Sequence, residues 1–242
     1  MKTKTLLLSL LCIVGITTAS AQNDIYYWKD GKAVKVNAVD SITFISPKED
    51  TAFGQKVIDL GLSVKWANCN VGATEPYEYG GYYSWGETAT KETYSWGNYS
   101  LTEDGGDTFT KYPKGNKYVL DPEDDAATAE WGGKWRMPTK EEQDELVEKC
   151  TWTWKSKGNT EYNGVAGHEV TGPNGNSIFL PVGGYKFMGT IYYEEGEYGH
   201  YWSASLNGYY FAYGLQLNAN FHETNGYGYR YMGKLVRAVL SE

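Results

Sequence analysis

"DDAATAEWGGKWRMPTKEEQDELVEKC", residues Asp124 to Cys150, contains both helix signals of a 242-residue chain. Asp124 and Asp125 set carboxylates ahead of a short Ala-rich run that stops at Gly132-Gly133, a cap pattern at both ends. Thr139, followed three residues later by Glu142, makes a capping box, and Leu146, Val147 and Cys150 supply an apolar stripe. Everything after Cys150 reads as strand and turn. "TGPNGNSIFLPVGGY" (171–185) is turn, buried strand, turn; "LNGYYFAYGLQL" (206–217) is a hairpin turn followed by alternation; "GKLVRAVL" (233–240) is a closing strand. Two helices among many short antiparallel strands predict an α+β domain with long loops.

On the N-terminal side, "QKVIDLGLSVKWANCNVG" (55–72) is strand-like, and residues 80–118 are rich in Gly, Tyr, Thr and Asp with little periodicity. Their tryptophans predict a long ordered loop rather than disorder. Further out, "DIYYWKDGKAVKVNAVDSITF" (24–44) predicts a hairpin turning at Asp30-Gly31, and "SPKEDTAFG" (46–54) a linker. The first 21 residues carry Lys2 and Lys4, an apolar run from Leu6 to Ile16 and a small-residue "ASA" before Gln22, the layout of a secretory signal peptide. The expected organisation is a signal peptide at 1–21, a hairpin segment and linker at 22–52, and the main domain at 53–242. The expected location is outside the inner membrane: periplasmic, cell-surface or secreted.

The formal net charge is −8, and loss of the leader removes two lysines and no acids. Such a surface repels phosphate backbones and anionic lipid, which argues against nucleic acid as a partner. No later stretch is apolar enough to span a membrane. Cys69 and Cys150 survive leader removal. In an exported protein they read as a disulfide closing a loop of roughly 80 residues, worth ~4 kcal/mol, with two separate buried thiols as the alternative. No close Cys or His pair suggests zinc, and no cofactor motif is present. His168, His200 and His222 stand in no recognisable nucleophile motif, so the expectation is a protein that is not an enzyme. Paired carboxylates in an aromatic cleft would make a glycan-processing enzyme the alternative. Asp121, Glu123, Asp124 and Asp125 cluster as calcium ligands do, but a cap at Asp124 or Asp125 accounts for them more simply.

The aromatics divide by neighbourhood. Trp66, Trp85, Trp131, Trp135 and Trp202 sit among Gly and apolar residues and read as core. From Tyr209 the alternation puts Phe211, Tyr213, Leu215 and Leu217 on one face, expected to be buried. The other face is Tyr, small residues and amides, a composition suited to recognition because Tyr offers contact area at low entropic cost while Asn and Gly adapt. The candidate ligand-binding residues are Tyr198, His200, Tyr209, Tyr210, Gln216, Asn218, Asn220, His222, Asn225, Tyr227 and Tyr229.

The motifs "DLGLSVKWANCNVGA" (59–73), "YYSWGET" (82–88), "DDAATAEWGGKWRMPTKEEQDEL" (124–146), "TGPNGNSIFLPVGGY" (171–185), "YWSAS" (201–205) and "LVRAV" (235–239) occur in that order. Together they resemble the Fibrobacter succinogenes major paralogous domain family, common in surface proteins of Bacteroidetes, over residues 53–242. That family is similar to the C-type lectin-like and formylglycine-generating-enzyme-like fold. The resemblance implies a domain whose first and last strands pair and whose loop-rich half binds ligands. It implies neither formylglycine chemistry, since no cysteine follows Cys150, nor calcium-bridged sugar binding, since the Glu-Pro-Asn or Gln-Pro-Asp and Trp-Asn-Asp sets are missing. The expected role is recognition of an extracellular protein or glycan, with a structural surface or adhesin subunit as the alternative.

Overall fold

The structure, a computed structural model, describes residues 26–29, 32–35, 51–113, 118–192 and 195–241. The expected signal peptide and most of the expected linker lie outside them. The chain divides into two units, 1–49 and 50–242. In the first, β1 (Tyr26–Lys29) and β2 (Lys32–Lys35) pair antiparallel with Lys29 opposite Lys32; the expected turn residues Asp30 and Gly31 lie outside the described residues.

The second unit is mostly antiparallel sheet with two helices and long loops, an α+β architecture. A five-stranded sheet has the order β3 (Thr51–Ala52), β4 (Gln55–Ile58), β5 (Lys65–Ala67), β16 (Val239–Leu240) and β6 (Trp135–Arg136). The last strand thus pairs back onto the first meander, Val239 opposite Trp66. β7 (Thr151–Lys155), β8 (Gly167–Thr171) and β9 (Ser177–Pro181) form a second sheet, and β10 (Tyr185–Phe187) pairs with β11 (Thr190–Tyr192). The third sheet is the hairpin β12 (Gly199–Asn207) and β13 (Phe211–Leu217), with β14 (His222–Glu223) and β15 (Gly228–Tyr229) both added to β13.

Both helices form where their caps predict. In α1 (Ala126–Trp131) the Asp125 carboxylate accepts from the Ala127 and Thr128 amides, and its other oxygen accepts from Met137 N at 2.8 Å. In α2 (Lys140–Lys149) Thr139 and Glu142 complete the reciprocal box. Glu142 also takes a two-pronged bond from Arg136, which fixes the start of α2 against β6. The remaining acids near α1 are engaged too: Lys111 reaches both Glu123 and Asp124, and Tyr112 bonds Asp121 and Asp124.

Two core clusters lie on opposite sides of the β12–β13 hairpin. Trp202, Ala204, Leu206 and Ala212 belong to one; Tyr201, Leu215 and Leu217 belong to the other, with Leu146 of α2. This corrects the expectation of one buried and one exposed face on β13. Ala212 is fully buried on the side expected to face solvent, whereas Phe211 and Tyr213 are only half-buried. Alternation is disturbed as well. Trp202 lies opposite Gly214 but Leu206 lies opposite Ala212, so β12 bulges between them. Within the bulge the backbone turns to new partners: Ala204 N donates to Pro138 O, Leu206 N to Tyr118 O, and Ala204 O accepts from Leu120 N. Ser205 Oγ accepts from Lys140 N, tying the bulge to α2. At Gly214 a Cβ would stand 2.4 Å from Tyr201 O, so only glycine allows β12 and β13 to pass this closely.

Of the tryptophans expected in the core, Trp66, Trp85, Trp135 and Trp202 are at most 1% exposed, and Trp131 is half-buried against Trp135. The loop before α1 adds Tyr82, Tyr83, Tyr94, Tyr99, Leu101 and Phe109 to the clusters, so it is core-bearing chain without regular strands. The expected disulfide is not formed: both thiols are free. Cys69 is buried and its Sγ donates to Ala73 O, while Cys150 is the C-cap of α2 and packs on the second cluster. Each is held by its own surroundings; the two are separate, as in the alternative reading, but only Cys69 is buried and Cys150 is half-buried.

Two outcomes follow for stability. Asp125→Ala strips a buried carboxylate from three amides and is expected to cost about 2–4 kcal/mol by urea unfolding, more than an ordinary cap. Leu215→Ala should cost about 2–5 kcal/mol by leaving a cavity, and Tyr213→Ala less than ~1.5 kcal/mol. Equal costs for the two would contradict the two-sided burial of the hairpin.

Candidate functional site

One cavity of about 510 Å³ opens beside the hairpin, within the roughly 300–1,000 Å³ typical of ligand sites. Its residues arrive from five places in the chain. Tyr185 comes from β10; Tyr198 and His200 from the start of β12; Phe211 and Gln216 from β13; Phe221 from the turn after it; and Tyr227, Gly228, Tyr229, Met232 and Lys234 from the C-terminal crossing. Pairing of His200 with Gln216 sets two polar side chains side by side. The walls are rings. Phe211 meets Tyr227 edge-on at 5.2 Å and lies tilted over Tyr229 at 4.6 Å; Tyr185 meets His200 edge-on at 4.9 Å. Tyr227 is 62% exposed and Tyr229 39%, so the mouth is aromatic surface presented to solvent.

Trp96 extends that surface. It sits on a 3-10 turn, Trp96–Asn98, held by mutual Ser95 and Asn98 bonds. Its indole has edge contacts with Tyr99, Phe109, Tyr210, Tyr229 and Tyr231. Tyr209 closes the far side: its hydroxyl donates to Asp107 O and its ring meets Phe109 at 4.9 Å.

Of the sequence candidates, Tyr198, His200, Gln216, Tyr227 and Tyr229 line the cavity, and Tyr209 and Tyr210 form the neighbouring rim around Trp96. Asn220 and Asn225 are exposed. Asn218 does not line the cavity. It is buried, its side-chain oxygen accepts from the Asn220 and Phe221 amides, and its backbone oxygen bonds the His168 ring. His222 is also occupied elsewhere, stacked on Trp152 at 4.3 Å and 6°. Both belong to the turn that ends β13, where an Asx-type bond decides the backbone.

Sequence reasoning missed Tyr185, Phe211, Met232, Trp96 and Lys234. The stretch "YSWGN" (94–98) repeats "YSWGE" (83–87), a signal that could have singled out Trp96; nothing in the sequence pattern marks Lys234. Burial holds Lys234 down at about 7 and, helped by that lysine, His200 at about 3. The His200 ring is therefore neutral at physiological pH, and its buried Nε2 has no hydrogen-bond partner. Among the described residues no group of three or more His, Cys, Asp or Glu side chains converges as a metal site would need.

A histidine whose folded pKa is depressed binds its proton in the unfolded chain first. Its contribution is intact above the ordinary histidine value and is lost as pH falls from about 6.5 toward 3. The stability difference between the native protein and His200→Gln should therefore shrink across that window by up to ~1.4 kcal/mol per pH unit, read by urea unfolding at pH 6.5, 5.5 and 4.5. A difference that stays constant would mean that His200 takes up its proton in the folded protein as it does in the unfolded chain.

Comparison with protein-family models finds no match. Comparisons with curated proteins and with solved structures likewise find none.

Proposed function

We propose that residues 50–242 form an exported, non-enzymatic recognition domain that binds an extracellular protein or glycan through the aromatic cavity and its Trp96 rim. The observation that carries this reading is the cavity itself, walled by Phe211, Tyr227 and Tyr229 and floored by polar groups. Exposed rings offer stacking area, while Gln216 and His200 offer a few directional bonds, the usual division of labour in a small-molecule or glycan site. In this reading the domain has the C-type lectin-like fold of the Fibrobacter succinogenes major paralogous domain family. The ordered motifs support that assignment, as does the pairing of β16 with β5.

The reading is tested by presenting the exported chain to glycan and protein arrays, then repeating any positive with Tyr227→Ala. The variant should keep its stability within ~1 kcal/mol, since Tyr227 is largely exposed, and lose about 1–2 kcal/mol of binding. A ligand bound equally well by Tyr227→Ala and Tyr210→Ala would place recognition elsewhere.

A further inference from the structure

Lys234 is 2% exposed and lies at the wall of the cavity. Among the described residues no carboxylate and no hydrogen-bond acceptor pairs with its Nζ. Its one favourable neighbour is the Trp202 ring, whose centroid is 4.1 Å from Nζ. That indole is itself positioned by a bond from Nε1 to Tyr83 O at 2.8 Å. On the other side, room for the amine depends on Gly228: a Cβ there would stand 2.6 Å from Nζ and 2.8 Å from Cε. Gly228 has no positive φ, so space rather than backbone conformation is what a larger residue would violate.

A buried ammonium without a counter-ion costs several kcal/mol, and a methionine of similar length would fill the same volume without that cost. The backbone N–H and C=O of Lys234 hold Tyr83, so the fold uses the main chain here, and the amine itself contributes the contact with the Trp202 ring. His200, a lining residue on β12, has a buried Nε2 without a hydrogen-bond partner, and its ring is neutral. Among the described residues no acidic side chain lines the cavity. The described lining therefore offers one cation, hydrogen-bonding capacity from His200 and Gln216, and aromatic walls.

We propose that this cavity takes an anionic sugar unit, a pyranose carrying one carboxylate or one sulfate ester, whose single negative charge pairs with Lys234 while its ring lies against Phe211, Tyr227 and Tyr229. The inference rests on the recognition reading and names its ligand class. A monoanion matches the single cation; a phosphate dianion would leave one charge unpaired. A neutral sugar would use the walls but leave the amine as it is. Because burial without a partner holds Lys234 near 7, a seated anion must raise that value.

The exported chain, with 13C-labelled lysine, is titrated with galacturonic acid, galactose 6-sulfate and galactose. Calorimetry reads affinity and NMR reads the Lys234 13Cε signal. At least one anionic sugar is expected to bind about tenfold or more tighter than galactose. It should move the Lys234 signal and raise its titration midpoint by about one pH unit or more. The acid and sulfate arms tell which anion is preferred. Lys234→Met should bring the anionic sugar down to the affinity of galactose, with the melting temperature confirming the fold. Should that variant not fold, the wild-type Lys234 titration decides alone. Equal affinity for galactose and the anionic sugars, no binding of either anionic sugar, or an unmoved Lys234 signal at saturation each overturns the inference. None of these touches the recognition reading, which stands or falls on the arrays and on Tyr227→Ala.

Discussion

Burial of the segment Lys234 to Val239 on all sides is the constraint on which the rest of this domain depends. None of its residues is more than 2% exposed. A backbone so placed depends on hydrogen bonds within the protein, and those it makes reach partners far away in sequence. Lys234 exchanges bonds with Tyr83, Leu235 N donates to His200 O, Leu235 O accepts from Trp202 N, Val236 O from Val71 N, and Ala238 O from Ala67 N. The side chains alternate between the two cores, Val236 and Ala238 to one and Leu235 and Val239 to the other. The first meander, the long loop and the β12–β13 hairpin are therefore joined through the last residues of the chain. The aromatic cavity exists because this segment enters beside the hairpin instead of covering it.

Two buried cations in that segment show opposite solutions to the same problem. The Arg237 guanidinium is fully engaged, donating to Asn70 Oδ1, Ala67 O and Phe179 O, so its forked geometry ties β5, the following loop and β9 together. Lys234 is a point charge with only a ring for company. Arginine suits a structural knot because several directed donors can satisfy several fixed carbonyls. Lysine suits a site where a single partner comes and goes. The difference in partners, not in burial, separates the stabilising cation from the one that faces the cavity.

What was readable in the sequence was local. The caps of α1 and α2, the pairing of β1 with β2 and the Gly208 turn of the β12–β13 hairpin depend on residues within a few positions of one another, and their chemistry is complete on that scale. About half of the candidate binding residues fell on the cavity wall, because Tyr and amide enrichment after Tyr198 does mark that surface. The errors came where the answer needed a second surface. Alternation on β13 identifies two faces but not what covers them; Ala212 is buried by Trp202 and Leu206, which a single-sheet reading leaves out. Asn218, read as a recognition amide, lies outside the cavity lining, with its side-chain oxygen engaged in the turn after β13. Cys69 and Cys150 looked like a pair because they were the two that remained, yet proximity in the fold is not a property of a count.

The sequence by itself determined the α+β class, both helices with their termini, the hairpins and the aromatic character of the C-terminal third, since these follow from short-range sterics, capping and composition. Only the tertiary structure decided which rings became core and which became wall, that Lys234 went unpaired at the side of a cavity, and that the thiols stayed apart. Those outcomes depend on which distant segments come to share a space. A residue's burial and its partners are set by that shared space, which no local pattern encodes.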